Sequence, residues 1–172
     1  MRRIIVATIV ASVLLVTASF FATQAAAEDV KSRITCYLTK AEAIPVGDVE
    51  GHVIIIFERR GLAILENGEC AAVLIRGTAD LTKHHGPFQS YAQWTYKDGS
   101  KTISKAEANM AISPGEKLPS FSGKGEWIKG TGKFQGIKGR FTFSGKYITP
   151  YSKETKGDVY FELTGAYTLP SK

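Results

Sequence analysis

The chain has 172 residues, with 22 Lys and Arg against 16 Asp and Glu and a formal net charge of +6 at pH 7. That excess favours solubility and weak attraction to anionic surfaces, and it is too small to mark a dedicated nucleic-acid binder. With only two cysteines, stability has to come from a buried core rather than from a set of disulfides.

The first 27 residues read as a secretory leader. Arg2 and Arg3 supply a positive start, Ile4 to Phe21 is apolar apart from a few Ser and Thr, and Ala25-Ala26-Ala27 offers the small residues a signal peptidase needs before Glu28. The apolar stretch is almost long enough to serve as an uncleaved membrane anchor, but the Ala-rich end followed by Glu28-Asp29 favours cleavage. Cleavage removes two basic residues and no acidic one, so residues 28–172 carry a net charge of +4. The expected mature chain is then one domain, periplasmic or secreted, with no stable membrane insertion.

After residue 28 no stretch sustains a 3.6-residue apolar period for three turns. Short runs alternate with period two and are broken by Gly, Asn, Asp and Pro, which predicts eight antiparallel strands. The first spans about Lys31 to Ile44. The second, about Glu50 to Leu65, holds Val53 to Phe57, apolar on both faces. Glu66-Asn67-Gly68-Glu69 is a hairpin turn in which Asn-Gly supplies the positive φ angles. The third strand, about Cys70 to Leu81, puts Val73, Ile75, Ala79 and Leu81 on one face. His84-His85-Gly86-Pro87 is the next predicted turn, followed by strands over Phe88 to Tyr96 and Lys101 to Ala111.

The sixth strand, Phe121 to Lys129, places Phe121, Gly123, Gly125 and Trp127 together. Arg140 to Tyr147 places Phe141, Phe143, Gly145 and Tyr147 together, and Val159 to Leu169 does the same for Val159, Phe161, Leu163, Gly165, Tyr167 and Leu169. One buried and one wetted face per strand is the pattern of a barrel or sandwich. Eight strands suffice for a closed barrel filled by side chains or holding one small ligand.

Cys36 and Cys70 are a candidate disulfide. An oxidising compartment favours the bridge, which would contribute roughly 3–4 kcal/mol, whereas the two positions do not fall level on adjacent strands. Both readings stay open at this stage.

The segment Gly130-Thr131-Gly132-Lys133-Phe134-Gln135-Gly136-Ile137-Lys138-Gly139 resembles the GTGxF…G signature of the allene oxide cyclase and dirigent superfamily. The following Arg140 to Tyr147 and Gly165 to Pro170, with Gly51-His52-Val53, Arg60-Gly61-Leu62-Ala63 and Lys97-Asp98-Gly99-Ser100, are similar to small bacterial exported proteins carrying that barrel domain. The resemblance implies an eight-stranded, calycin-type antiparallel barrel with a largely apolar cavity. It also implies a frequent homo-oligomer, with no metal or organic cofactor. Within the motif, Gly130, Gly132, Gly136 and Gly139 permit a tight turn and a kinked strand entry, beside Thr131, and Phe134 can plug the barrel end. The polar catalytic set of the plant cyclases cannot be aligned here, and its region holds the apolar run 53–57.

The residues carry little overt chemistry. His84-His85, with His52 remote in sequence, lacks the further ligands of a metal site and reads as a solvated turn. Glu58, Glu107 and Glu126 fall opposite the apolar face and are expected outside. From Lys117 to Lys156 nine basic residues face two acidic ones, but the basic and aromatic side chains largely occupy opposite strand faces. That is a wetted wall rather than a nucleic-acid site. Trp94, Tyr96, Trp127, Phe141, Phe143 and Tyr147 lie on apolar faces, as core or as the lining of a cavity for an apolar or aromatic ligand. Three functions stay open: a binding barrel, a cofactor-free isomerase or cyclase, and a ligand-free envelope protein.

Overall fold

The structure, a computed structural model, describes residues 27–152 and 154–171. The expected leader thus lies, except for Ala27, outside the described residues. Eight strands follow in chain order: β1 Glu28–Pro45, β2 His52–Leu65, β3 Cys70–Thr82, β4 Gly86–Tyr96, β5 Lys101–Ala111, β6 Ser120–Thr131, β7 Lys138–Tyr147 and β8 Val159–Thr168. Among the described residues the one helical element is a 3-10 turn, Gly132–Phe134. Each strand pairs antiparallel with the next, and β8 returns onto β1 from Glu28↔Tyr167 to Cys36↔Val159. Closure leaves no exposed sheet edge. The eight-stranded all-β barrel read from the alternation is therefore the fold.

Period two carries the inside–outside assignment as well. Ala71, Val73, Ile75, Ala79 and Leu81 of β3 are buried, and Ala72, Arg76, Thr78, Asp80 and Thr82 are exposed. Two bulges reset the phase. In β1 the register shifts between Leu38 and Lys40. Even-numbered Val30, Ser32, Ile34 and Cys36 face inward before it, whereas Ala41 lies level with Phe57 after it. In β6 the extra residue Ile128 lets Trp127 and Gly130 both be buried. Such bulges bend a strand and raise its twist, as closing a small barrel requires.

The three strands β6, β7 and β8 solve a volume problem. Eight strands enclose a narrow interior, yet Trp127, Phe141, Phe143, Phe161 and Tyr167 all point into it. Across the ladders, aromatic residues meet glycines: Gly123↔Phe143, Gly125↔Phe141, Phe141↔Gly165, Gly145↔Phe161 and Gly139↔Tyr167. A Cβ on Gly165 would fall 2.6 Å from Phe141 Cβ, closer than side chains pack. The glycines are thus gaps into which rings lie. Ring centroids 4.9–6.4 Å apart run without a break from Phe57 through Phe88, Phe121, Phe143, Phe141, Trp127, Tyr167 and Phe134. Edge-on and tilted geometry at these separations is the favourable kind.

The structure takes one side of the open cysteine question and corrects two turn expectations. Cys36 and Cys70 are free thiols. Cys36 is buried and level with Gly61, while Cys70 is exposed and level with Ile64, so the two lie at different heights and on opposite sides of the wall. In the 66–69 turn only Gly68 has positive φ, at 82°; Asn67 instead accepts a hydrogen bond from the Glu69 N–H at 2.9 Å. The β3–β4 turn sits at Lys83-His84 rather than His84 to Pro87. Both of its residues adopt positive φ, 51° and 69°, between the Thr82 and His85 bridge partners. That is the twist a two-residue hairpin demands, obtained here without glycine.

Candidate functional site

The two ends of the barrel differ. At the end holding the β2–β3 and β4–β5 turns, the Gly130–Gly139 segment folds into a stopper. Gly132 (φ 60°) begins the 3-10 turn, and Phe134 and Ile137 are buried beneath the strand ends. Phe134 stacks 4.6 Å from Tyr96 and 6.0 Å from Tyr167. Thr131 accepts a hydrogen bond from the Lys101 N–H, and the Lys133 N–H donates to Ser100 Oγ, so the stopper is hydrogen-bonded to β5 and its turn. Lys133 covers it, its ammonium 4.9 Å above the Tyr96 ring and paired with Glu69. Burial pushes the Tyr96 phenol up to about 12. Phe134 therefore plugs the barrel, as its place in the motif suggests.

No comparable stopper covers the other end among the described residues. Phe57, Phe88, Phe121, Phe143 and Tyr147 point inward there and yet stay only partly buried. Phe121 is the hub, 6.0 Å from Phe88, 6.4 Å from Phe143, 6.4 Å from Tyr147 and 5.8 Å from Phe161. Beside this aromatic ring of residues lies Arg59, inward-facing on β2 and 9% exposed. Its guanidinium donates to the Gly157 carbonyl at 2.8 Å and to the Tyr147 hydroxyl at 2.6 Å, and lies 5.0 Å from the Tyr147 ring centre. The neighbouring Cys36 thiol is pushed up to about 12 by burial, against the pull of Arg59, and is neutral.

The residues singled out from the sequence divide between these regions. Trp94, Tyr96, Trp127 and Phe141 are buried in the core, with Trp127 and Phe141 4.9 Å apart, while Phe143 and Tyr147 belong to the open end. Phe57, Phe88, Phe121 and Arg59 were not among them. Arg59 had a legible signal: it continues the inward phase of Phe57, Gly61, Ala63 and Leu65. Glu58, its sequence neighbour, faces outward as expected. Hydrogen bonds from Arg76 at 2.9 Å and Thr39 at 3.0 Å hold its carboxyl below the usual range. Glu107 likewise pairs outside with Lys124. His84 and His85 stay in an exposed turn, and no cluster suited to a metal ion occurs among the described residues. His52 instead bridges two carboxylates on the outer rim, Asp48 at 2.6 Å and Asp80 at 2.7 Å.

Two grooves open on the outer wall. One, of about 670 Å³, runs past Tyr37, Arg60, Leu62, Leu74 and Gln93. The other, of about 700 Å³, is lined by Lys105, Glu107, Lys124, Glu126 and Arg140, of which Lys124 and Glu107 form an ion pair.

No family model and no curated protein matches the chain. Two solved pterocarpan synthase dirigent proteins resemble it in structure. GePTS1 aligns with a TM-score of 0.51 at 14% identity, covering 86% of this chain and 93% of its own. PsPTS1 gives 0.48 at 13% identity, covering 87% and 99%. The barrel has the dirigent fold. At such identity the dirigent likeness concerns architecture alone, since one fold hosts many functions and each has to be argued from its site.

Proposed function

We propose that this dirigent-like barrel binds a small apolar or aromatic ligand at its open end. The observation that carries the reading is the asymmetry of the two ends. One is stopped by Phe134 and Ile137, whereas the other leaves five inward-facing aromatic side chains partly exposed. Folding ordinarily buries such rings, and a set of partly exposed aromatics is a surface a ligand can complete. Covering about 200 Å² of apolar area contributes roughly 5 kcal/mol at 25 cal/mol per Å². The cost of association reduces that gain, so neutral ligands should bind in the millimolar range. Pterocarpan chemistry is not part of the proposal, because a likeness of fold does not carry a substrate.

Export belongs to the same reading. It rests on the charged start, apolar stretch and Ala-x-Ala boundary of residues 1–27, and an exported protein of intact mass beginning at Glu28 is its test. For binding, the purified protein is titrated with small aromatic probes while its aromatic side-chain resonances are followed by NMR. Saturable shifts at Phe121, Phe143 and Tyr147 support the proposal. No saturable shift at millimolar probe would leave the ligand-free envelope role in front.

A further inference from the structure

We propose that Arg59 is an anion-recognition residue at this open end, so that the ligand is an apolar or aromatic body bearing one carboxylate. The inference rests on the binding reading above and adds the chemistry of the ligand's polar end.

Arg59 is the one buried charged side chain among the described residues; the other buried polar groups are Ser32, Ser90, Ser100, Thr102 and Ser104. It takes part in none of the ion pairs, although all 16 acidic side chains belong to described residues. Its partners are a carbonyl and a phenol, both uncharged. Of the four exposed arginines among the described residues, Arg33, Arg60 and Arg76 each meet a glutamate on the outer wall, and Arg140, without an ion pair, is solvated there by water; Arg59 has neither recourse. A guanidinium taken out of water without a counter-ion is costly. Its neighbours on the same strand face are Phe57, Gly61, Ala63 and Leu65, so an apolar residue would satisfy packing at this position.

The same geometry describes what would pair with it. Two of the five guanidinium N–H groups are used by Gly157 and Tyr147, leaving donors for an oxygen anion. The Tyr147 hydroxyl accepts from Arg59, so its own proton is available to donate to the same anion. One cation and one phenol match a singly charged carboxylate, which an arginine fork binds well. They do not match a phosphate dianion, for which a second buried cation would be expected. Tyr147 also packs edge-on against Phe121 at 6.4 Å, so a carboxylate held here carries its apolar body straight onto the aromatic hub.

The test compares matched probes, 3-phenylpropionate and 3-phenylpropionamide, by NMR titration against wild-type protein and Arg59→Met. The acid is expected to bind wild type at least tenfold more tightly than the amide, as charge-assisted hydrogen bonds allow. In Arg59→Met the two affinities should converge as acid binding weakens, with Tm level or higher, because an unpaired buried charge has been removed. Should Arg59→Met fail to accumulate, Tyr147→Phe keeps the ring and removes only the phenol. It should cut the acid preference several-fold. Equal affinities of acid and amide for wild type would overturn the role of Arg59 and leave the binding barrel standing. A lower Tm in Arg59→Met with the acid preference intact would make Arg59 a structural tie to Gly157. If neither probe binds, both proposals fall together.

Discussion

Gly125 tests the view that glycines are spaces for rings. It lies level with Phe141 on β7 and Ala106 on β5. A Cβ added there would fall on the Phe141 ring tip, 2.7 Å from Cε2, and 2.6 Å from the Lys105 carbonyl oxygen. Overpacking of that kind costs about 1–3 kcal/mol, so Gly125→Ala should lose that much. Phe141→Leu removes the ring tip and leaves a small void, at a cost of about 1–2 kcal/mol. If the ring is what the methyl strikes, the double variant is more stable than the sum of the two losses predicts, by about 1 kcal/mol or more. For a chain of this size that difference corresponds to about 2–4 °C in Tm. Thermal and urea unfolding of the four proteins complete the cycle. Losses additive within about 0.5 kcal/mol would refute the ring-in-gap account and place the clash on the Lys105 carbonyl instead.

Two further outcomes follow from the side-chain geometry. In native protein one thiol, Cys70, should react with a thiol reagent within minutes, whereas Cys36, 3% exposed and with its thiol held up near 12, should react only after unfolding; a bridged protein with no free thiol would contradict this. Hydrogen bonds that His52 donates to Asp80 and then Asp48 raise its pKa above the ordinary 6.5, so its contribution to stability is fully present below 6.5 and fades as pH rises through the higher folded value. Stability measured between pH 6 and 8 should therefore fall in wild type and flatten in His52→Gln, and an NMR titration placing His52 at or below 6.5 would remove the cause.

Much of this architecture is local and was legible in the chain. Strand alternation is a period-two property of the backbone, so Val73, Ile75, Phe141, Phe143, Phe161 and Leu163 declare their common side without any tertiary information. The turn at Lys97 to Ser100 and the GTGxF segment are likewise written in their glycines. What alternation cannot convey is height along the barrel axis, because that depends on how far each strand is staggered against the next. Only closure separates Trp94, Tyr96, Trp127 and Phe141, buried in the core, from Phe143 and Tyr147 at the open end. Register also decides the cysteines, setting Cys36 against Gly61 inside the wall and Cys70 against Ile64 on its surface. The β2 run is ambiguous for the same reason: Ile54 and Ile56 are as apolar as Phe57, yet 45% and 57% exposed, and only the barrel gives one face an inside. Arg59 is the sharpest case. Its phase on β2 is a property of the sequence, but its want of a carboxylate depends on where all 16 acids end up in space, which no local pattern contains.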